Sequence, residues 1–589
     1  MCDVTLISHF RVYGAVKVPA CLAPIWADHN AIEFVGKILK FWDSSVPVVK
    51  IATCAMEEVD HGQFLRQVFN SLRKNDQTGD VLIHFIAEDK QGIDFCRQWN
   101  TCKSEGQEKE SIKHDTIYQS LYYRAMVFSS ITFLLYFLPP FLVAYKLGGA
   151  KFQNAILLIA SVIFYAWGAM SFLPILLISC VVNFYLVRAL DTLSGSKRVR
   201  AVSASVILNV GLLVYFKYAN FIVENVAPNH FEWSEVALPI GISFFSFQSL
   251  SYSLDVHRQT VKPLKKLSEY LVYILSFPQM IAGPIVRFTE VEKALRKRTV
   301  ADADWLNGFY RFALGLSKKV LIANTLASVF PLDIAVAAGG FEGWSAPHAC
   351  IAILAFTFQI YFDFSGYSDM AIGLGRMLGF KFPENFRQPY RATSITDFWR
   401  RWHITLSSWM KDYLYIPLGG NRVSSHARLY MNLVLVFGVS GLWHGASWNF
   451  LIWGLYHGVF LILDRIFLRD VLKRLPKVLS RTITFGFVIV GWVFFAIEDF
   501  DLALSFFRQL FNGGFMSFEI WAQELSFLKA REIFVLIAAF VFSSTALYDT
   551  FKLDDSRPLC MAGVGVALLL VSVSYLAGSD FNPFIYFRF

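Results

Sequence analysis

Charge is scarce in this chain. Asp, Glu, Lys and Arg make up only 17% of 589 residues, against 55% hydrophobic types, a balance that excludes an ordinary soluble domain. Metal-ligand spacing is missing as well. There is no CxxC pair and no Cys/His set, and Cys180, Cys350 and Cys560 stand alone in apolar sequence, so no structural metal is expected. No Walker loop occurs, and the glycines of AIGLGRMLG at 371–379 follow an apolar run rather than a βαβ strand, which argues against an ATP-driven pump. The excess of cations, a net charge of +9, needs no nucleic acid: basic loops facing an anionic leaflet produce it in membrane proteins.

Apolar runs are abundant instead, many close to the roughly 20 residues that cross a hydrocarbon core. The expected fold is an all-α polytopic membrane protein. Span cores read as 126–143, 154–169, 172–190, 202–223, 346–362, 430–442, 450–466, 483–497, 533–547 and 561–576. Weaker ones lie at 238–254, 271–285 and 305–329, where polar residues or Pro interrupt the pattern and a re-entrant or tilted helix is the alternative. Residues 1–125 differ. They hold five of the eight Cys and no run long enough to span, and they read either as a small α/β extension or as sequence upstream of a natural start at Met126. Lys146 and Lys151, then Lys197, Arg198 and Arg200, then Arg258, Lys262, Lys265 and Lys266 fall on one side of the spans, opposite the acidic loop 224–235. The positive-inside rule makes the basic side cytoplasmic and places the start of the first span outside.

Polar groups concentrate between Pro278 and His457. SGLWHGASWNFLIWGLYHG at 440–458 sets His444 in sequence apolar enough for a bilayer, where an ionisable side chain costs about 2.5 kcal/mol or more and is kept by a task, a partner or a cavity. His444 is either a proton-handling group or a neutral histidine bonded inside the bundle. SFPQMIAGPIVRF carries Pro278, Gly283 and Pro284, which should break a helix and suggest a cavity. YFDFSGYSDMAIGLGR brings Asp363, Ser365, Ser368, Asp369 and Arg376 to the end of a span, with an Asp369–Arg376 ion pair as the structural alternative. DFWRRWHITLSSWMKDYLYIPLGGNR at 397–422 combines Trp399, Trp402 and Trp409 with Arg400, Arg401 and Lys411, as in a helix lying at headgroup level. His403 lies in that segment. Its cations could also hold the phosphates of a nucleotide-bearing donor, and Asp363 and Asn421 complete the candidate substrate contacts.

Taken together, GLWHG before an apolar span, the WRRWHITLSSWMKDYLYIPLGGNR block, PQMIAGPIVR and YFDFSGYSDMAIG resemble the membrane-bound O-acyltransferase superfamily in its bacterial alginate O-acetylase branch, over 126–589. The resemblance implies a ring of membrane helices with re-entrant segments around a thinned centre. It implies His444 as the essential catalytic residue and His403 as a second contributor. It further implies a bacterial inner-membrane enzyme with no bound cofactor that draws acetyl from a cytoplasmic thioester such as acetyl-CoA. The acetyl would pass toward hydroxyls of an exported polysaccharide such as alginate, with periplasmic acetyl-transfer proteins and an export complex as partners. His457 follows His444 by thirteen residues, about 220° around one helix, and reads as structural. The rival class is a transporter or flippase of an acyl or lipid-linked sugar group, with His444 as a proton relay. A transporter often contains repeated halves, and no second copy of GLWHG or WRRWH is present.

Overall fold

The computed structural model describes residues 126–226, 233–329, 331–337, 339–512, 517–544 and 558–579. The expected α/β extension at 1–125 lies outside them. Among the described residues the structure is helical, with no strand. In chain order the main helices are α1 (Leu138–Leu147), α2 (Gly149–Ala169), α3 (Leu173–Ala189), α4 (Gly195–Leu213), α5 (Ile242–His257), α6 (Leu267–Leu275), α7 (Asp302–Ser317), α8 (Ala346–Met377), α9 (His426–His444), α10 (Trp448–Leu463), α11 (Lys477–Ala496), α12 (Ala530–Ser544) and α13 (Pro558–Ala577). Seven continuous helical stretches among them are long and apolar enough to cross a membrane.

The expected spans map onto these helices, with differences at their ends. The first begins later than expected. Residues 126–131 precede the helix, and Met126 and Phe128 tuck into the core, where the Phe128 ring stacks on Tyr367 at 4.6 Å. A π-helical stretch, Thr132–Phe137, then leads into α1. The span expected to end at 362 runs on to Met377 as α8, so Asp363 sits inside a long helix rather than at its end. α8 is the central element: 78% of its most apolar window is buried in protein, against 22% for α13.

α7 packs along α8 through facing glycines. A methyl group on Gly315 would lie 2.5 Å from the Gly366 carbonyl oxygen, and one on Gly366 would lie 2.7 Å from that of Gly315. Small residues are what allow such close approach in a membrane. Beside this crossing the helices exchange charge. Lys319 meets Asp363 at 2.6 Å, both 2% exposed, and Lys318 meets Asp369 at 2.6 Å. Asp369 is also held by Arg311 at 2.8 Å, so the Asp369–Arg376 pair weighed as the structural alternative does not form. Arg376 reaches Asp304 instead, at 3.0 Å. The partner on the same helix lost because α7 and the π-helical stretch that continues it, Lys318–Ala323, bring Arg311 and Lys318 across the interface.

The proline-rich interruption breaks as expected. α6 ends at Leu275, one turn follows at Phe277–Met280, and the chain runs irregularly to Arg287, with residues 272–286 buried throughout. Protein side chains satisfy the freed backbone there. Phe277 N donates to Ser161 Oγ and Ile285 N to Thr405 Oγ1, each at 3.1 Å, while the Tyr273 hydroxyl donates to the Val286 carbonyl at 3.1 Å. Irregular backbone at membrane depth is tolerated when buried in protein in this way.

Two stability measurements follow. Gly441 on α9 would place a methyl group 2.2 Å from the Phe450 carbonyl oxygen, whereas Gly486 has open space. Gly441→Ala should destabilise the detergent-solubilised protein by about 1–3 kcal/mol, while Gly486→Ala should leave it neutral or raise it by up to about 1 kcal/mol; thermal unfolding of both variants reads the difference. Asp363→Ala should cost about 3–5 kcal/mol by stranding a buried ammonium, and much of that loss should return in Lys319→Met/Asp363→Leu. A double variant no more stable than the single one would contradict the ion-pair account.

Candidate functional site

His444 is the last residue of α9. The chain does not curl into a left-handed cap after it; Gly445 is extended at φ −162°, ψ 155°, and α10 starts at Trp448, with Ser447 Oγ accepting from Phe450 N. This turn corrects the angular argument about His457, which assumed one continuous helix. α9 and α10 form an antiparallel pair crossing at Gly441 and Gly454, where a methyl group on either would approach a facing carbonyl oxygen to 2.2 Å. That contact seats His444 against α10. The imidazole is 1% exposed, with ring centroids of Trp443, Trp453 and Phe495 at 4.9, 5.0 and 5.4 Å.

His403 arrives from another part of the chain. The block 395–415 is not one surface helix. A short helix, Ile395–Trp399, ends, and a second, Ile404–Met410, begins at His403, which adopts the left-handed conformation at φ 42°, ψ 55°. Such a φ is costly for a residue with a Cβ and persists where surroundings dictate it. Here they do. Asn385 Oδ1 accepts from Thr405 N (3.3 Å) and Thr405 Oγ1 (2.9 Å), and the Asn385 carbonyl accepts from Ile404 N (2.9 Å).

The same Asn385 Oδ1 lies 3.1 Å from His403 Nδ1. Because the Thr405 amide can only donate, the atom facing it is the oxygen of Asn385. His403 Nδ1 must therefore carry the proton toward it, leaving Nε2 as the bare nitrogen. That Nε2 is buried and makes no hydrogen bond among the described residues. The His403 ring is edge-on to Phe364 at 4.8 Å and 6.3 Å from the ring of His444. Thr405 also binds the broken segment through Ile285 N, so one hydrogen-bonded chain links the proline interruption to the orientation of His403.

The tryptophans of this block face inward, contrary to a headgroup-level helix. Trp399, Trp402 and Trp409 are 7%, 1% and 7% exposed. Trp409 stacks on Phe247 at 3.8 Å and Trp402 packs on Trp492 at 4.8 Å. They serve as core because α5, α8 and α11 surround the block on its inner side. Its cations point the other way. Arg400 and Lys411 are exposed, and Arg401 is half-buried with Nε donating to Asp397 at 2.9 Å. Asn421 is exposed too, its Oδ1 accepting from the Tyr415 hydroxyl and from Arg465. Asp363 faces Lys319. The two histidines are thus brought together, and the other candidate contacts are not.

The ends of the site can be assigned to sides. Arg258, in the basic loop, donates to the Asp412 carbonyl at 3.2 Å and ties the exposed cations to that face. At the opposite end Trp448, just past His444, donates to Asn225 at the start of the acidic segment 224–235, at 2.9 Å. His457 is fully buried behind Trp453, which lies 5.0 Å from His444 and 5.2 Å from His457. Two residues at the site escape the sequence reading. Asn385 carries no local signal. Lys217 does carry one, a cation in the apolar run 202–223, by the same rule that singles out His444.

Comparison with known proteins identifies the family. Residues 212–507, which include Lys217, Asn385, His403 and His444, match the model of the MBOAT, membrane-bound O-acyltransferase family. The probable alginate O-acetylase AlgI of Azotobacter vinelandii is 37% identical over 509 residues, covering 79% of this chain and 100% of that protein. The probable alginate O-acetylase AlgI of Pseudomonas aeruginosa is 42% identical over 400 residues, covering 66% of this chain and 75% of its own. A peptidoglycan O-acetyltransferase from Helicobacter pylori is 33% identical over 521 residues, covering 79% and 98%. The family match over residues 212–507 and relatives 33–42% identical over most of their length make the chain, with its seven helices long and apolar enough to cross a membrane, a member of the membrane-bound O-acyltransferase family, a multi-pass membrane O-acyltransferase.

Proposed function

We propose that the protein transfers acetyl groups from a cytoplasmic thioester donor to hydroxyls of an exported polysaccharide, with alginate as the candidate polymer and the bacterial inner membrane as its location. The observation that carries this reading is the meeting of His444 and His403, 6.3 Å apart between ring centroids and almost fully buried. A single oxygen about 3 Å from each ring can touch both.

His444 serves as general base. It takes the proton of the acceptor hydroxyl as that oxygen attacks the thioester carbonyl; the C–S bond then breaks, and the departing thiolate takes up a proton. His403, with its bare Nε2, can accept a hydrogen bond from the same hydroxyl before attack and so help to orient it toward the carbonyl. The walls of Trp443, Trp453, Phe364 and Phe495 keep water from competing for the acyl group.

The exposed cations Arg400 and Lys411, with exposed Asn421 and half-buried Arg401, lie at the basic face and suit the phosphates of a donor such as acetyl-CoA. His444 lies toward the acidic-loop end. The acetyl group therefore enters from the basic face and is received from the other side, where periplasmic acetyl-transfer proteins and the export complex are the proposed partners. The alginate and peptidoglycan O-acetylating relatives support a polysaccharide acceptor.

His444→Ala should reduce the O-acetyl content of cell polysaccharide by at least about 10²-fold, with the protein present in the membrane at its normal level. Retained acetylation would sink the base role. Asn385→Ala should release the His403 ring and lower the transfer rate about tenfold or more through misorientation, with donor KM unchanged; an unaltered rate would remove His403's fixed orientation from the mechanism.

A further inference from the structure

The helix that ends in His444 presents its last carbonyls to two side chains from a distant helix. α4 continues through a π-helical stretch, Val214–Tyr218, into Ala219–Val226. In that stretch Lys217, 8% exposed, directs Nζ at the carbonyls of Trp443 and His444, the latter at 3.1 Å, and at Ser243 Oγ at 3.4 Å. The Tyr218 hydroxyl donates to the Leu442 carbonyl at 2.6 Å. Three consecutive carbonyls, 442 to 444, thus receive hydrogen bonds from two consecutive side chains.

A helix C-terminus leaves four carbonyls unsatisfied, and the usual remedy is a left-handed residue that folds the chain back over them. Gly445 is extended and supplies no such cap. Water is not available in its place, since Trp443 and His444 are 4% and 1% exposed. An ammonium at this end also matches the negative pole of the helix. The π stretch has its own part in this. Its backbone hydrogen bonds span one more residue than those of an α-helix, and such bulges gather at functional sites. Here two neighbouring residues, Lys217 and Tyr218, both reach α9.

We infer that Lys217, with Tyr218, is a positioning residue for the acyl transfer, fixing the point at which α9 ends and so the direction in which the His444 imidazole is presented to the acceptor hydroxyl. This inference rests on the reading of His444 as the base. Lys217 touches the backbone of that residue and not its ring, so its effect falls on the rate of the chemical step, where a displacement of about 1 Å can cost about 10²-fold. Donor capture at the basic face is unaffected.

The test uses membrane vesicles containing the full chain and its native glycan, with acetyl-CoA labelled in the acetyl group as donor, and reads the initial rate of O-acetyl ester formation per folded protein. His444→Ala is run alongside. Lys217→Met should lower kcat by about 10²-fold while KM for acetyl-CoA stays within about twofold, and Lys217→Arg should recover at least about a tenth of the wild-type kcat. If His444→Ala is inactive while Lys217→Met keeps kcat within about threefold, the inference is overturned and the proposed function stands. If His444→Ala remains active, the base reading falls and the inference with it. Should Lys217→Met fail to reach the membrane, Tyr218→Phe carries the test: a kcat about tenfold lower at unchanged KM supports the inference, and a kcat within about twofold of wild type overturns it.

Discussion

A bilayer offers no water to a backbone carbonyl or an ammonium, so such groups at membrane depth must find their partners inside the fold. That constraint decides where the helices may break. The chain interrupts itself at 276–287 only because Ser161, Tyr273 and Thr405 stand ready to take up the freed backbone groups. It ends α9 in the interior only because Lys217 and Tyr218 meet the exposed carbonyls. The buried cations of α7 and its continuation are likewise answered by Asp363 and Asp369 on α8. Each irregularity needed for a site is matched by a side chain from a different part of the chain.

Much of this was legible in the sequence where a single residue violates its surroundings. His444 stands out because a titratable group in apolar sequence is costly, and the prolines and glycines of 278–284 announce a broken helix. The readings that failed are those in which a partner was chosen by proximity along the chain. Arg376 is the cation next to Asp369 on one helix, yet Arg311 and Lys318 approach it from across the interface. Tryptophans beside arginines suggested a surface helix, but a break at His403 turns the aromatic side inward and leaves the cations outside. Asn385 has no sequence signature at all. Its importance comes from one oxygen shared between Thr405 and His403, a tertiary fact.

The two histidines also show how a site can be assembled without a rigid scaffold of strands. One sits at a helix end and the other at a helix break, and both owe their direction to hydrogen bonds made by backbone or by the opposite ring nitrogen. The rings themselves are surrounded by Trp443, Trp453, Phe364 and Phe495, which supply shape and dryness and leave the polar chemistry to the nitrogens. A backbone contact holds this arrangement tight: glycines at 441 and 454 let α9 and α10 touch.

Five π-helical stretches occur among the described residues, and four of them carry charged residues: Lys217, the pair Lys318 and Lys319, Lys411 with Asp412, and Asp464 with Arg465. Each such stretch is a place where a helix has absorbed an extra residue without losing its axis. Chain length in this architecture can therefore change by single residues inside the spans as well as in the loops. A one-residue insertion or deletion there would swing a charge into or out of the interior while leaving the rest of the bundle in register, so the spacing of polar groups across such a protein is tuned by counting residues as much as by choosing them.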